Sequence, residues 1–185
     1  MTDIFSETIR NLFLLCIVVW ACVACVPAVS TVSVPSATPN TAVMSFDLTK
    51  APILVGSVFT ANVRLDHVAR LVGVELQVVY DPAILEEQDA DLGKDGLQAA
   101  WGKFLKPDFV AQNLAEPAQG KISLAAVQLP PSQPVSGSGV LATITFKAKS
   151  AGSSPLTFSL VNLSTSSGTF IERTLQNTQV RVIPR

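Results

Sequence analysis

His67 is the only histidine in the 185 residues, and Cys16, Cys22 and Cys25 are the only cysteines. A hydroxyl nucleophile needs an imidazole held against it, and a nitrogen or sulfur metal site needs several such ligands converging. His67 stands beside Asp66 at the end of an alternating segment, with no second histidine or cysteine outside the N-terminal leader to complete a metal site. Catalysis by a serine triad and a histidine-based metal centre are therefore excluded, and His67 reads as a surface histidine. The densest carboxylates are Glu86, Glu87, Asp89 and Asp91, followed by Gly93, Lys94, Asp95 and Gly96. Asp89, Asp91 and Asp95 are hard oxygen donors of the kind calcium takes. The twelve-residue calcium loop, however, calls for Asp or Asn where Gly93 stands, and for a closing Glu that is missing, so this stretch reads as a solvated acidic loop. A glycosidase pair would need two carboxylates facing across a cleft, and nothing in the spacing supplies one. Gly-rich phosphate loops are absent. Asn162-Leu163-Ser164 fits a glycosylation sequon, a pattern too short to assign a role.

The elements that must carry any site begin after an uncharged stretch from Asn11 to Phe46. Within it, Leu12 to Ala24 is an apolar run of 13 residues following Arg10. That is signal-sequence length, short of the roughly 20 residues a spanning helix needs. Residues 1–28 are expected to be a signal peptide cleaved after Ala28, a lipid anchor on Cys25 or Cys22, or an uncleaved membrane anchor, and any membrane contact is confined to this segment. Residues 29–40 have the small, polar, Pro-containing composition of a flexible linker. All three cysteines lie in the leader, so the exported domain, 41–185, has no disulfide. Formal charge is −1, from 13 basic and 14 acidic residues; removing Asp3, Glu7 and Arg10 leaves 12 of each. No basic stripe exists for a phosphate backbone, which excludes nucleic acid as a partner.

Beyond the linker the hydrophobic period is two, the signature of strands with one buried face. Phe59, Ala61, Val63 and Leu65 alternate with polar residues; Val74, Leu76, Val78 and Tyr80 do the same, as do Val140, Ala142, Ile144, Phe146 and Ala148. Further strands are expected over Val43 to Leu48, Lys121 to Leu129, Pro155 to Leu163, Thr169 to Thr174 and Thr178 to Ile183. Asp81-Pro82, Leu129-Pro130-Pro131, Ser136 to Gly139, Ala151 to Ser154 and Ser166 to Gly168 read as turns. One short helix is possible over Gly96 to Phe104. Many short strands joined by turns predict an all-β sandwich.

The order of motifs resembles a cohesin domain, the receptor module of cellulosome scaffolds. The matching stretches are Val72 to Pro82 (VGVELQVVYDP) with Leu85, Gly120 to Leu124 (GKISL), Gly139 to Lys149 (GVLATITFKAK) and Phe170 to Thr174 (FIERT). Together they span the exported domain. The resemblance implies a nine-stranded jelly-roll β-sandwich, no catalysis and no cofactor of its own. It further implies a sheet face that captures a dockerin-like module, with calcium carried by the partner, in a polysaccharide-degrading or cell-surface assembly. If Val74, Leu76 and Val78 face the core, alternation turns Gly73, Glu75 and Gln77 outward. By the same rule Ser123 and Ala125 lie outside Ile122 and Leu124, and Phe170 and Glu172 outside Ile171. Glu75 and Glu172 match acidic dockerin-contact positions, Phe170 matches an apolar one, and Gly73 stands where many cohesins carry Asn. These seven residues are the expected partner-binding set. Two other functions fit an exported sandwich: a carbohydrate-binding module, in which Trp101 would carry nearly all the sugar stacking, and a structural surface subunit.

Overall fold

The computed structural model describes residues 41–49, 52–91, 93 and 97–185. The expected leader and linker, with Cys22 and Cys25, lie outside the described residues. Among the described residues no helix is long and apolar enough to cross a membrane.

Twelve strands follow in chain order: β1 (Ala42–Leu48), β2 (Ile53–Leu54), β3 (Val58–Leu71), β4 (Gly73–Val79), β5 (Leu85–Gln88), β6 (Ala99–Trp101), β7 (Phe109–Glu116), β8 (Lys121–Val127), β9 (Val135–Ala148), β10 (Gly152–Ser164), β11 (Arg173–Gln176) and β12 (Thr178–Ile183). They form two six-stranded sheets. One has the order β11-β1-β3-β9-β5, with β6 also on β9; the other runs β2-β12-β10-β4-β8-β7. The pairs β1–β11 and β12–β2 are parallel and the rest are antiparallel. This is the expected all-β sandwich. The count exceeds nine through the short edge pieces β2, β6 and β11.

The core is the set of alternate residues that each sheet turns toward the other. Val74, Leu76, Val78 and Tyr80 on one side, and Ala142, Ile144, Phe146 and Ala148 on the other, are all buried, as their spacing predicts. Phe146 is fully buried, with the Phe59 ring 5.7 Å away in its own sheet and the Tyr80 ring edge-on at 5.2 Å from the facing one. Phe46 and Phe158 stack at 4.1 Å between β1 and β10. Full burial of such a side chain is worth about 1.5–3 kcal/mol, and no cross-link is needed to make the sum large.

Four local expectations are corrected. Gly96 to Phe104 holds β6 instead of a helix, because Ala99 to Trp101 completes backbone pairing with Ala142 to Ile144 of β9. Ser136 to Gly139 is a stretch of β9 instead of a turn, and the ribbon it forms with β3 is bulged. The bulges place His67 and Arg70 at positive φ, 58° and 56°, and their backbone N–H groups donate to Ser138 Oγ at 3.1 Å and Ser136 Oγ at 2.9 Å. The two serines therefore satisfy donors that a regular ladder would have paired. The strand expected over Thr169 to Thr174 is instead an isolated bridge of Phe170 to Ser164, with β11 beginning only at Arg173, and the turn expected over Ala151 to Ser154 gives way to β10 at Gly152. β5 lies within the acidic stretch, and β7 occupies a segment with no strand signal.

Glycine is required at one turn in particular. Gly120 enters β8 in the left-handed region (φ 60°), where a Cβ would run into the Tyr80 carbonyl.

Strands β5 and β6 are one interrupted edge strand. Leu85 to Gln88 pair with Ala148 to Thr145 of β9, and Ala99 to Trp101 continue directly with Ile144 to Ala142. The line breaks after Gln88 and resumes at Ala99, and between them Ala90 N–H donates to Leu97 O at 3.0 Å. The rejoined end is tied to the other sheet by buried Asn113 of β7. Its Oδ1 accepts from Ala99 N–H at 2.9 Å, and its Nδ2 donates to Ala99 O at 2.8 Å. One amide side chain thus substitutes for a strand partner. Asn113→Ala leaves a buried donor and acceptor unpaired, and the expected destabilisation is about 2–3 kcal/mol, measured as a shift of the urea midpoint with an unchanged slope.

Candidate functional site

The outer face of the β10-β4-β8-β7 sheet can be laid out row by row from the register. One row carries Phe109, Val127, Gly73 and Ser164, with Phe170 bridged to Ser164 at its end. The next carries Gln112, Ala125, Glu75 and Asn162, and the third Leu114, Ser123, Gln77 and Leu160. A fourth row begins with Glu116 and Lys121, which form an ion pair at 2.6 Å. Alternation sets this layout on β4 and β8, and a bulge between Val110 and Gln112 brings β7 into step with it: once Val74, Leu76 and Val78 enter the core, the residues between them face the other way.

Of the expected set, the structure gathers Gly73, Glu75, Ala125 and Phe170 around one shallow depression of about 360 Å³. Gln77 lies one row away beside Ser123. Glu172 is exposed but stands outside the depression, where its backbone carbonyl accepts from Ala42 N–H of β1 at 3.1 Å. Two residues correct the expectation of free outward side chains. Gly73 is buried, because Ser164 Oγ lies 2.5 Å from where a Cβ would stand. Ser123 is 8% exposed, since its short side chain sits in a row between the longer Leu114 and Gln77. Both line the face without presenting a group to a partner. Ala125 and Gln77 are half-buried, and Glu75 is exposed.

Glu75 is held in place. Asn162 Nδ2 donates to its Oε2 at 2.9 Å across the β10–β4 pair, leaving the other carboxylate oxygen toward solvent. Around it the surface is apolar: Phe170 is 66% exposed, Phe109 56% and Leu114 53%. Single exposed apolar residues are ordinary, but three on one flat sheet face beside Ala111 and Ala125 make a patch, and such patches mark interaction surfaces. Phe109, Leu114 and Asn162 were not anticipated. β7 is exposed on both faces from Phe109 to Gln112 and turns only Asn113 and, in part, Ala115 inward, so its apolar residues have no period that would reveal a strand. Asn162 was visible only as a sequon residue.

At the start of β7, Asp108 Oδ2 accepts from Leu129 N–H at 2.8 Å. That bond, helped by the Ser132 hydroxyl, holds the Asp108 carboxyl below its usual range. The 129–132 turn is thereby pinned beside Phe109. Elsewhere, Asp89 and Asp91 use their side chains locally: Asp89 Oδ1 accepts from Asp91 N–H at 2.9 Å, and Asp91 Oδ1 from Gly93 N–H at 3.0 Å. These are turn-forming bonds of the kind short carboxylates make with the backbone two residues on. Asp95, the third oxygen donor considered for calcium, lies outside the described residues. Trp101, the one expected sugar platform, is half-buried and packs against the core with its indole N–H buried.

The Cohesin domain model matches residues 43–182, and the chain belongs to the cohesin family. Solved structures share the fold. The seventh ScaB type I cohesin of Pseudobacteroides cellulosolvens has a TM-score of 0.62 at 21% identity, over 78% of this chain and 94% of that one. A non-cellulosomal cohesin from the hyperthermophilic archaeon Archaeoglobus fulgidus gives 0.61 at 15% identity, over 77% and 91%. The cohesin of a type I cohesin–dockerin complex from Clostridium thermocellum gives 0.64 at 15% identity, over 78% and 95%. Comparison with curated protein sequences finds no match.

If Phe109 and Phe170 are free surface, the double change Phe109→Ser, Phe170→Ser lowers the fluorescence of a bound apolar dye on the native full chain by at least about half. Each change costs no more than about 0.5 kcal/mol of stability, measured by thermal denaturation.

Proposed function

We propose that this chain is a non-catalytic docking module, and that the β10-β4-β8-β7 face binds a helical, dockerin-like protein module. The observation that carries the reading is the depression between Phe109 and Phe170, with Asn162-held Glu75 at its side, in a cohesin-family domain. The apolar centre supplies area that a helix can bury, and the fixed carboxylate supplies an acceptor whose direction is already set, which lowers the ordering cost of binding. A partner helix suited to it carries apolar residues three or four positions apart and a donor or cationic side chain beside them. Calcium belongs to the partner in this reading, and none is required by the face itself. Similar folds have been solved as complexes with dockerins, among them the Clostridium thermocellum assembly. The family is one of protein-interaction modules, and the chemistry excluded above agrees with an absence of catalysis.

We also propose that the module works outside the cell, in a cell-surface or polysaccharide-degrading assembly, with residues 1–28 as its export signal or anchor and 29–40 as its tether. A carbohydrate-binding or purely structural role has less support, because the large exposed side chains of the face surround a fixed carboxylate, and Trp101 is half-buried against the core.

Titration calorimetry of the full chain against a panel of dockerin modules, run beside soluble polysaccharides, tests the binding reading. Heat is expected with a dockerin and none with the sugars. Glu75→Ala combined with Phe170→Ala is expected to weaken the interaction by about 2 kcal/mol or more while the melting temperature stays nearly unchanged. Binding of a sugar with failure of every dockerin would overturn the assignment. For the leader, mass spectrometry of the mature N-terminus is expected to give Val29 for a cleaved signal, or an acylated Cys22 or Cys25 for a lipid anchor. An intact Met1 in the cytoplasmic fraction would refute export.

A further inference from the structure

At the open side of the sandwich, away from the depression, the interrupted edge strand turns a carboxylate inward. Glu87 is 8% exposed and stands opposite Phe146 on β9, in the line of buried positions that Leu85 begins and Ala99 continues. An apolar residue would be expected there. The two ion pairs seen among the described residues, Arg64–Asp66 and Lys121–Glu116, do not involve it. The charge that acts on it is the Asp89 carboxylate, two residues on, and Glu87 in turn helps to raise the nearby Tyr80 hydroxyl, at the end of β4, which is buried with no hydrogen-bond partner. Glu86 and Lys147 face each other on the solvent side of the same strands. Among the described residues no cation therefore compensates an ionised Glu87.

Its polar neighbour is Gln98, the last residue before β6. Gln98 Nε2 donates to Asp89 Oδ2 at 3.3 Å, which sets the amide oxygen 3.0 Å from Glu87 Oε2 and 3.3 Å from Glu87 Oε1. Two acceptors meet in that arrangement unless the carboxyl carries a proton. With the proton, Glu87 O–H donates to the Gln98 oxygen, and the chain Glu87 to Gln98 to Asp89 is complete. Without it, the amide must turn so that its nitrogen donates to both Glu87 oxygens, and the bond to Asp89 is given up. Both arrangements fit the same heavy-atom positions, and the proton decides between them.

We propose that Glu87 is a proton-binding site whose occupancy sets the orientation of the Gln98 amide and the hold of the β5–β6 edge on the sandwich. With the proton, Glu87 and Asp89 are both bonded to Gln98 and so tie the end of β5 to the start of β6, whereas ionisation gives up the Asp89 bond and leaves a charge facing the core. The tie reaches β7, because Ala99, next to Gln98, is the residue whose N–H and C=O are gripped by Asn113. Burial, and secondarily the charge of Asp89, pushes the Glu87 carboxyl up to about 7 from an ordinary 4.5. A carboxyl whose folded-state value lies above its unfolded one stabilises the fold in its protonated form. That contribution is fully present below the unfolded value and is lost as pH rises through the folded one. The edge is therefore firmest in mild acid and loosens above neutrality. This inference does not depend on any partner for the apolar face.

The test compares the full chain with its Glu87→Gln variant, which keeps a neutral amide at the site. The wild-type melting temperature is expected to fall as pH rises from about 5.5 to about 8.5, while the variant changes little over that range and matches or exceeds the wild type at the alkaline end. All other titratable groups are common to both proteins and cancel in the comparison. Hydrogen exchange at the Ala99 amide adds a local readout: at the alkaline end it is expected to be several-fold faster in the wild type than in the variant, and equal in the two at the acid end. Carbon-detected NMR titration of the wild-type Glu87 carboxyl decides the matter even if the variant fails to fold, with a midpoint near 7 expected. A midpoint near the ordinary carboxylate value, or parallel melting profiles for the two proteins, would overturn the proposal.

Discussion

The rest of the structure depends on the alternation of side chains along β4. A strand cannot send Val74, Leu76 and Val78 into the core without sending Gly73, Glu75 and Gln77 the other way. Because β4 pairs with β8 on one side and β10 on the other, its register sets which residues of those strands stand beside Glu75. The apolar contact between sheets thus fixes the polar and apolar layout of a face on the far side of the backbone. A slip of one residue would exchange the two faces and expose the core.

What the alternation cannot do is close the sides of the sandwich, and the two sides are closed by different means. At the β1–β10 side, Phe46 and Phe158 stack between the sheets. At the β7 side the work falls to amides and a carboxyl: Asn113 grips Ala99, and Gln98 meets Glu87. Polar closure is directional and leaves little tolerance, since each buried group must find its partner. It also makes this side responsive to protonation in a way that stacked rings are not. The free edge of β7, which carries Phe109 and Leu114, is supported from beneath by this polar side.

Much of the architecture was legible in the chain. β4, β8, the second half of β9 and β12 have one wet and one dry face, so a period of two marks them, and the motifs from Val72 to Pro82 and Gly139 to Lys149 placed them in the cohesin order. Elements without that asymmetry were not legible. β7 is exposed on both faces over its first half and turns only Asn113 and part of Ala115 inward, and β5 hides a buried glutamate within an acidic run. The Ser136 to Gly139 stretch has turn composition, yet it pairs with β3 because its hydroxyls accept from the backbone of His67 and Arg70. In each case local composition was overridden by what lay across the sheet.

The candidate face divides the same way. By itself the sequence determined which side of β4 and β8 each residue occupies, because side-chain direction follows from chain geometry and from the cost of burying polar groups. That was enough to bring Glu75, Ala125 and Phe170 forward. Only the tertiary structure decided which outward residues have room to present a group. Ser164 fills the space above Gly73, long neighbours cover Ser123, and Glu172 lies beside β1 instead of in the depression. Asn162 reaches Glu75 across a strand pair 87 residues apart in sequence, and Phe109 joins Phe170 from the opposite end of the sheet. Such contacts depend on register between distant strands, which is settled when the sheets close on their common core and is not written in any local stretch of the chain.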